Sequence, residues 1–404
     1  MALTVKKRRG TIIEYGGSGI VLDPSSNSHE YPAFVSHAHA DHAAAFKHPD
    51  MLKYATEPTY SLLESLNWRK LGNWKPIQLG ETVKIDDIEV KAHNAGHVLG
   101  SVSFEINTPE GTILYSGDFA MGNSYTMEPA RSVPCDMLII ESTFGAPMFR
   151  FPKRSEMALE MVRWATMEAI PKGMIPTFRT DSIGNAQEII SAFNKLTNLP
   201  VVTAKSATKV SDVYKQYGYK LDYVDAKSPE GEELLESGRC LIVGPKGAKL
   251  KYDNLDTALA SGWAVMLGHR RRAFPLSDHA DFNELLSFIR KCHPKRVLTF
   301  HGGSITKDFH EYVRKRFKID AKPLTSHEES IHGTVTRKEV RMKACYDQLI
   351  RTVRIPGFEY TSPWLVKEMA RKGFTRGETE SAVEHLVDRS ILETTQSGVR
   401  LNLH

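Results

Sequence analysis

Cysteine is scarce: four in 404 residues, Cys135, Cys240, Cys292 and Cys345, far apart and never in a Cys-x-x-Cys pair. That spacing makes neither a disulfide framework nor a zinc knuckle, and reduced thiols are expected. No run of 18 or more apolar residues occurs, and Met1 to Gly10 carries Lys6, Lys7, Arg8 and Arg9 where a signal peptide would carry an apolar core. Secretion and membrane insertion are thereby disfavoured, and a cytoplasmic location is expected. The cluster Gly16-Gly17-Ser18-Gly19 lacks the following Lys-Ser/Thr of a phosphate-binding loop and reads instead as the turn of a β-hairpin over residues 11 to 24. Neither sign of charge dominates: a net +5 permits a polyanionic partner without demanding one. At 41% hydrophobic and 25% charged, the composition fits a soluble globular chain of two or three domains.

What stands out is histidine gathered at one spot. Ser36-His37-Ala38-His39-Ala40-Asp41-His42 packs three imidazoles and a carboxylate into six positions. Such a pattern arises by chance on the order of once in a thousand chains of this histidine content. Tyr31 to Val35 reads as a short strand and Ala43 to Phe46 as the start of a helix, which puts the stretch in a strand-to-helix turn. Residues two apart in the extended part share a face, so His37 and His39 point together, and the turn brings Asp41 and His42 behind them. Imidazole and carboxylate without thiolate suit Zn²⁺ in a catalytic rather than a structural site.

Further ionisable residues recur at strand ends. Two β-patterned runs within Glu89 to Ile106 flank a loop, residues 94 to 100, whose Gly96 and Gly100 permit unusual backbone angles around His97. The strand Thr112 to Tyr115 leads into Asp118, and Met137 to Ile140 into Glu141-Ser142-Thr143. Taken singly, His97 reads as a structural histidine and Asp118 as a turn former. Together they fit one edge of a layered α/β fold that gathers its strand termini into a site. From Phe151 to Phe274 the pattern changes to a separate α/β unit, with helices at Glu156 to Ala169 and Asn185 to Leu196, strands at Leu199 to Thr203 and Cys240 to Val243, and Ser261 to Leu267 as its last strand. The basic run at Arg270, Arg271 and Arg272 fits a solvated face and a phosphate-facing role equally. Ser277-Asp278-His279-Ala280-Asp281 follows, then a helix from Asn283 to Ile289 and a strand from Arg296 to Phe300 that ends in His301.

Residues 336 to 404 read as a third unit. Ser362 caps a helix with Pro363 at its first position, Gly373 closes it, and Thr375 with Glu378 forms a capping box for a second helix that turns Ala382, Val383, Leu386 and Val387 inward. Two short strands then meet at Ser397-Gly398. The order suits a winged-helix module, of the kind that seats a helix on DNA, and equally a protein-contact module, since Glu378, Glu380, Glu384 and Asp388 make the second helix acidic.

His37-x-His39-x-Asp41-His42, then His97, then Asp118, resembles the metallo-β-lactamase fold, an αββα sandwich with two metal ions at one edge of its sheets. Glu141 in Ile-Ile-Glu-Ser-Thr-Phe-Gly, His279 in Ser-Asp-His-Ala-Asp and His301 in Phe-His-Gly-Gly resemble the three added motifs of the β-CASP nucleases. Within that group the nearest likeness is to the ligase-associated DNA exonucleases, relatives of Artemis, carried by residues 135 to 145, Ser261-Gly-Trp-Ala-Val, the arginine run and residues 276 to 281. The resemblance covers about residues 10 to 305. It implies a metallo-β-lactamase domain over 1–150 and 276–330 and a β-CASP insertion over 151–275; the winged-helix-like module over 336–404 lies outside it. His301 stands where Artemis-type enzymes typically have Val; RNA-processing relatives and the ligase-associated group both have His there, so the position is neutral between them.

By this resemblance His37, His39 and His97 hold one divalent ion and Asp41, His42 and His301 the other, with Asp118 bridging; Zn²⁺ is expected, Mn²⁺ or Mg²⁺ being alternatives. Two such ions bring a shared water towards hydroxide at neutral pH and offset charge on phosphorus. Glu141 acts behind them, orienting a ligand histidine or the water, and His279 donates to the scissile phosphate or leaving oxygen. Arg270 to Arg272 bind backbone phosphates, while Ser142 and Thr143 are candidates for a terminal 5′-phosphate pocket. The expected activity is a 5′-to-3′ DNA exonuclease in end processing and repair, with a DNA ligase or another repair protein as partner. The alternatives are an RNA-processing β-CASP ribonuclease and a non-catalytic nucleic-acid-binding scaffold.

Overall fold

The computed structural model describes residues 3–26, 30–69, 71–248, 251–267 and 272–330, and, further on, 342, 345–346, 348–353, 355, 358–389 and 391–402. Two compact units divide the chain, Met1–Ser330 and Ile331–His404.

Two seven-stranded sheets build the frame of the first unit. One runs in the order Glu329–Ser330, Thr4–Lys7, Thr11–Tyr15, Ser18–Leu22, Ala33–Phe34, Lys53–Ala55 and Trp74–Pro76. The other runs Asp320–Pro323, Arg296–Phe300, Met137–Glu141, Gly111–Tyr115, Val102–Thr108, Ile88–Asn94 and Thr82–Ile85. Each is antiparallel in one half and parallel in the other. Their inner faces meet at Phe34 and Phe104, whose rings lie edge to face with centroids 5.6 Å apart. Helices cover the outside, giving the expected αββα sandwich. The helix Phe282–Cys292 shows why. Its N-cap Asp281 accepts from Glu284 N at 2.8 Å while Glu284 Oε2 accepts from Asp281 N at 3.3 Å. Phe282, Leu285, Phe288, Ile289 and Cys292 recur at helical spacing and are buried against Leu138, Ile140 and Val297 of the second sheet. Each large apolar side chain so buried contributes roughly 1.5–3 kcal/mol.

Strands between Ile175 and Phe274 form a separate, wholly parallel six-stranded sheet in the order Val224–Asp225, Val201–Thr203, Leu241–Pro245, Ile175–Thr180, Leu255–Ala260 and Ala273–Phe274. It shares an apolar core with the sandwich, which runs from Phe46 and Leu62 through Tyr214 and Phe193 to Phe178 and Trp164. The expected last strand at Ser261 to Leu267 is not one. The strand there is Leu255–Ala260, and Gly262–Met266 is a 3₁₀ turn. An all-apolar run suggested burial, but Trp263, Met266 and Leu267 are 41%, 45% and 37% exposed. The strand expected at Tyr31 to Val35 shortens to Ala33–Phe34, and the turn after the histidines is 3₁₀ over Ala43–Lys47.

In the second unit, Tyr360–Thr361, Gly398–Leu401 and Leu392–Thr394 make a three-stranded antiparallel sheet beside the helices Ser362–Arg371 and Arg376–Asp388. Thr361, not Ser362, is the first helix's cap residue, and the Thr375/Glu378 capping box is present. Leu365, Met369, Ala382, Leu386, Leu392 and Val399 form the core. Among the described residues no helix is long and apolar enough to cross a membrane.

Candidate metal centre and cleft

The C-terminal ends of the strands face one open hollow of about 570 Å³. The sandwich contributes His39, Asp41, Asp118, Thr143 and His301; the parallel sheet contributes Asp181, Ser182, Ser206, Lys246 and the turn at Ser261 to Trp263. Ser277 to His279 lie between. Beyond Leu66 and Ser206 the hollow meets a second one, lined by Lys205, Lys209 and Lys227 with Asp212 and Asp225.

At the floor, chain geometry brings the histidines together. His42 N and Ala43 N both donate to His39 O, at 3.1 and 2.9 Å, which closes the turn after the strand. Gly117, at φ 55, lets the chain pass against Ser36, where a Cβ would stand 3.0 Å from Ser36 Cβ, and this presents Asp118 to the imidazoles. Ligand atoms of His37, His39, His97 and Asp118 all lie within 4.8 Å of one another, and so do those of Asp41, His42 and His301. Asp118 Oδ2 stands between the groups, 3.6 Å from His37 Nε2, 4.0 Å from His97 Nε2 and 3.2 Å from His42 Nε2.

Hydrogen bonds on the far side of each ring fix which nitrogen carries the proton. His97 Nδ1 faces the carbonyl of Asp278 at 3.0 Å, and a carbonyl only accepts. His42 Nδ1 lies 2.7 Å from Asp23 Oδ2. Ser36 Oγ donates to that same carboxylate at 2.6 Å and so accepts from His37 Nδ1 at 2.9 Å. His37 and His97 therefore turn a bare Nε2 inward, while the His42 ring lies between two carboxylates, Asp23 at Nδ1 and Asp118 at Nε2. His39 Nδ1 meets the Nε2 atoms of His37 and His97 at 3.2 and 3.1 Å. Either a proton on His39 Nδ1 or a cation among these nitrogens offsets the repulsion of lone pairs converging at that distance. His42 Nε2 and Asp118 Oδ1 are buried without a hydrogen-bond partner among the described residues. The donor set thus fits divalent cations, with nitrogen and carboxylate oxygen as ligands.

Electrostatics agree for His37 and His97 and differ at His42. Burial, together with the neighbouring imidazoles, holds His37 and His97 well below the ordinary histidine range, in the neutral form a ligand needs. Burial opposes charge on His42 as well, but Asp118 and Asp23 outweigh it and raise the ring. Burial likewise opposes charge on Asp118, yet His42 holds its carboxyl well below the usual carboxylate range.

Glu141, fully buried, accepts from Phe119 N at 2.9 Å and from His279 Nδ1 at 3.0 Å. It braces the Asp118 loop and aims His279 into the hollow. Its ring partner is His279 and not His37, His39, His42 or His97. Burial favours a neutral His279, but Glu141 overrides it and the ring is pushed up to about 10. Ser142 Oγ donates to Phe300 O at 2.8 Å and secures the strand before His301, while Thr143 Oγ1 lacks a partner among the described residues. Arg272 does not line the hollow: it pairs with Glu168 at 2.8 Å and lies over the Trp164 ring. Arg270 and Arg271 fall outside the described residues.

Sequence reasoning missed Asp23. It follows the strand Ser18–Leu22, at φ 44, accepts from Ser36 N at 2.7 Å and Tyr115 Oη at 2.9 Å, and orients His42. The signal was available, since Asp23 also ends a strand, but reading residues 11 to 24 as a plain hairpin passed over it.

Residues 32–177 match the family described as the beta-lactamase superfamily domain, and residues 265–322 the Zn-dependent metallo-hydrolase RNA specificity domain. A probable DNA ligase of Opitutus terrae is 31% identical over 298 residues, covering 70% of this chain and 28% of that protein. An RNase J-like protein of Methanocaldococcus jannaschii is 28% identical over 341 residues, covering 66% of this chain and 80% of the relative. The crystal structure of a protein of unknown function from Enterococcus faecalis V583 superposes with a TM-score of 0.61 at 15% identity, over 82% of this chain and 100% of that one, a likeness of fold. With two family matches on either side of an inserted parallel α/β sheet, and relatives that include a probable DNA ligase and an RNase J-like protein, the chain belongs to the β-CASP nuclease family of the metallo-β-lactamase fold.

Proposed function

We propose that the chain is a two-metal phosphodiesterase, using zinc, that trims DNA 5′ to 3′ from strand ends in end processing and repair. The observation that carries this is the convergence of the ligand atoms of His37, His39, His42 and His97 on Asp118, with bare Nε2 atoms on His37 and His97, beside an open cleft. His37, His39 and His97 would hold one cation and Asp41, His42 and His301 the second, with Asp118 shared. Bound there, two divalent cations supply Lewis acidity that brings water towards hydroxide at neutral pH and offsets charge on the phosphoryl oxygens.

The chain's own residues do the rest. Asp118 fixes the spacing of the two ligand groups. Asp23 and Asp278 keep His42 and His97 in the ligating tautomer. His279, steadied by Glu141, holds a proton towards the scissile phosphate or its leaving oxygen. Thr143, whose hydroxyl is free of partners among the described residues, is better placed than Ser142 to meet a terminal phosphate. Arg270 and Arg271, with Lys205, Lys209 and Lys227 along the second hollow, are candidates for backbone phosphates.

DNA as substrate, and a ligase as partner, draw on the relative from Opitutus terrae. RNA is the second reading, favoured by the RNA specificity domain over residues 265–322 and by the RNase J-like relative. Matched 5′-labelled single-stranded DNA and RNA, each with and without a 5′-phosphate, separate the two. Release of the labelled terminal nucleotide from phosphorylated DNA is expected; faster cutting of the RNA would move the assignment to RNA processing.

A further inference from the structure

We infer that Trp263 is a stacking platform for the base of the nucleotide next to the scissile phosphate, a role that rests on the nuclease reading above. The turn Gly262–Met266 follows the strand Leu255–Ala260 at the rim of the same hollow that His39, Asp41, Asp118, His279 and His301 line. Trp263 is 41% exposed, although tryptophan is strongly buried on average. Its position is set from behind. The indole packs on Phe144, with centroids 5.0 Å apart, and edge-on against Phe149 at 5.4 Å. Phe144 in turn meets the ring of His279, centroids 5.8 Å apart. One aromatic ring therefore separates the indole from the imidazole that faces the scissile phosphate.

The turn is built to hold this pose. Gly262 lies flat on the phenylalanines, and a Cβ there would stand 2.5 Å from Phe144 Cζ and 3.0 Å from Phe151 Cζ. Ser261 N donates to Phe274 O at 3.1 Å, and Ala264 N and Leu267 N donate back within the turn at 2.9 and 3.0 Å. A fixed, half-exposed indole in a polar cleft offers a large apolar face with little left to order on binding. Bases present such a face whatever their sequence, and a stacked base contributes about 5- to 150-fold in binding. The platform would seat a single-stranded end without reading it, which suits an enzyme that must accept any terminus.

The test compares wild-type protein, Trp263→Ala and Trp263→Phe on 5′-phosphorylated single-stranded DNA, either intact or carrying one abasic nucleotide at successive positions from the end. On intact DNA, kcat/KM of Trp263→Ala should fall about tenfold, within the range expected for one stacked base, and Trp263→Phe should recover most of it. One abasic position should cost the wild type a similar factor and cost Trp263→Ala nothing further. A protein that cuts intact DNA but shows equal rates for wild type and Trp263→Ala, or the full abasic penalty in both, overturns the platform while leaving the nuclease reading in place. A wild type that cuts no nucleic acid overturns both.

Discussion

Asp23 touches no candidate cation ligand except His42, yet its carboxylate receives Ser36 Oγ, Tyr115 Oη and His42 Nδ1 at 2.6, 2.9 and 2.7 Å. Asp23→Ala should therefore leave the ligand set complete and still weaken metal retention about 10- to 100-fold, read by zinc content after dialysis against a graded chelator. Lys53 is a different buried charge. Burial lowers its ammonium from 10.5 to about 8, partly opposed by Asp50, and Nζ donates to the carbonyls of Met51 and Gly72. Between those pH values the folded protein binds fewer protons at this site than the unfolded chain, so stability rises with pH across the window. Denaturation of Lys53→Met should lack that rise, a difference on the order of 3 kcal/mol between pH 8 and 10.5. Among the candidate ligands, His37 to His42 were legible as a motif, whereas His97 and Asp118 stood out only as part of a set that recurs at strand ends. Asp23 and Lys53 act through what surrounds them, which the linear sequence does not display.

Among the elements, those with local determinants were readable. The helix Asn185–Leu196 and the strand Arg296–Phe300 lie where periodicity places them, and the Thr375/Glu378 box marks a helix start by its own hydrogen bonds. The apolar run at Ser261 to Leu267 has the composition of a buried strand, yet Trp263 lines the cleft and Met266 and Leu267 stay half-exposed, a difference that composition alone does not display. Thr375→Ala removes the hydroxyl that accepts from Glu378 N at 3.2 Å. It should destabilise the second unit by about 1 kcal/mol, with no change in the transition of the first, when denaturation is followed by probes placed in each.

In the whole molecule, two kinds of sheet share one cleft. The sandwich turns carboxylates and imidazoles towards it, and the inserted parallel sheet turns hydroxyls, Lys246 and Trp263 towards it from the other side. Parallel strands gather their C-terminal ends at one edge, so the parallel half of the sandwich and the inserted sheet both present loops there. The proposed function has this cleft cut nucleic acid through cations held on Asp118. Its most direct test is single-turnover cleavage of 5′-labelled single-stranded DNA by zinc-loaded wild type and Asp118→Asn, with DNA binding measured alongside. The account expects the variant to lose at least about a hundredfold in cleavage while binding DNA within a few-fold of wild type, and wild type stripped of metal to lose activity and regain it on reloading. Undiminished cleavage by Asp118→Asn, or by the stripped protein, would contradict it.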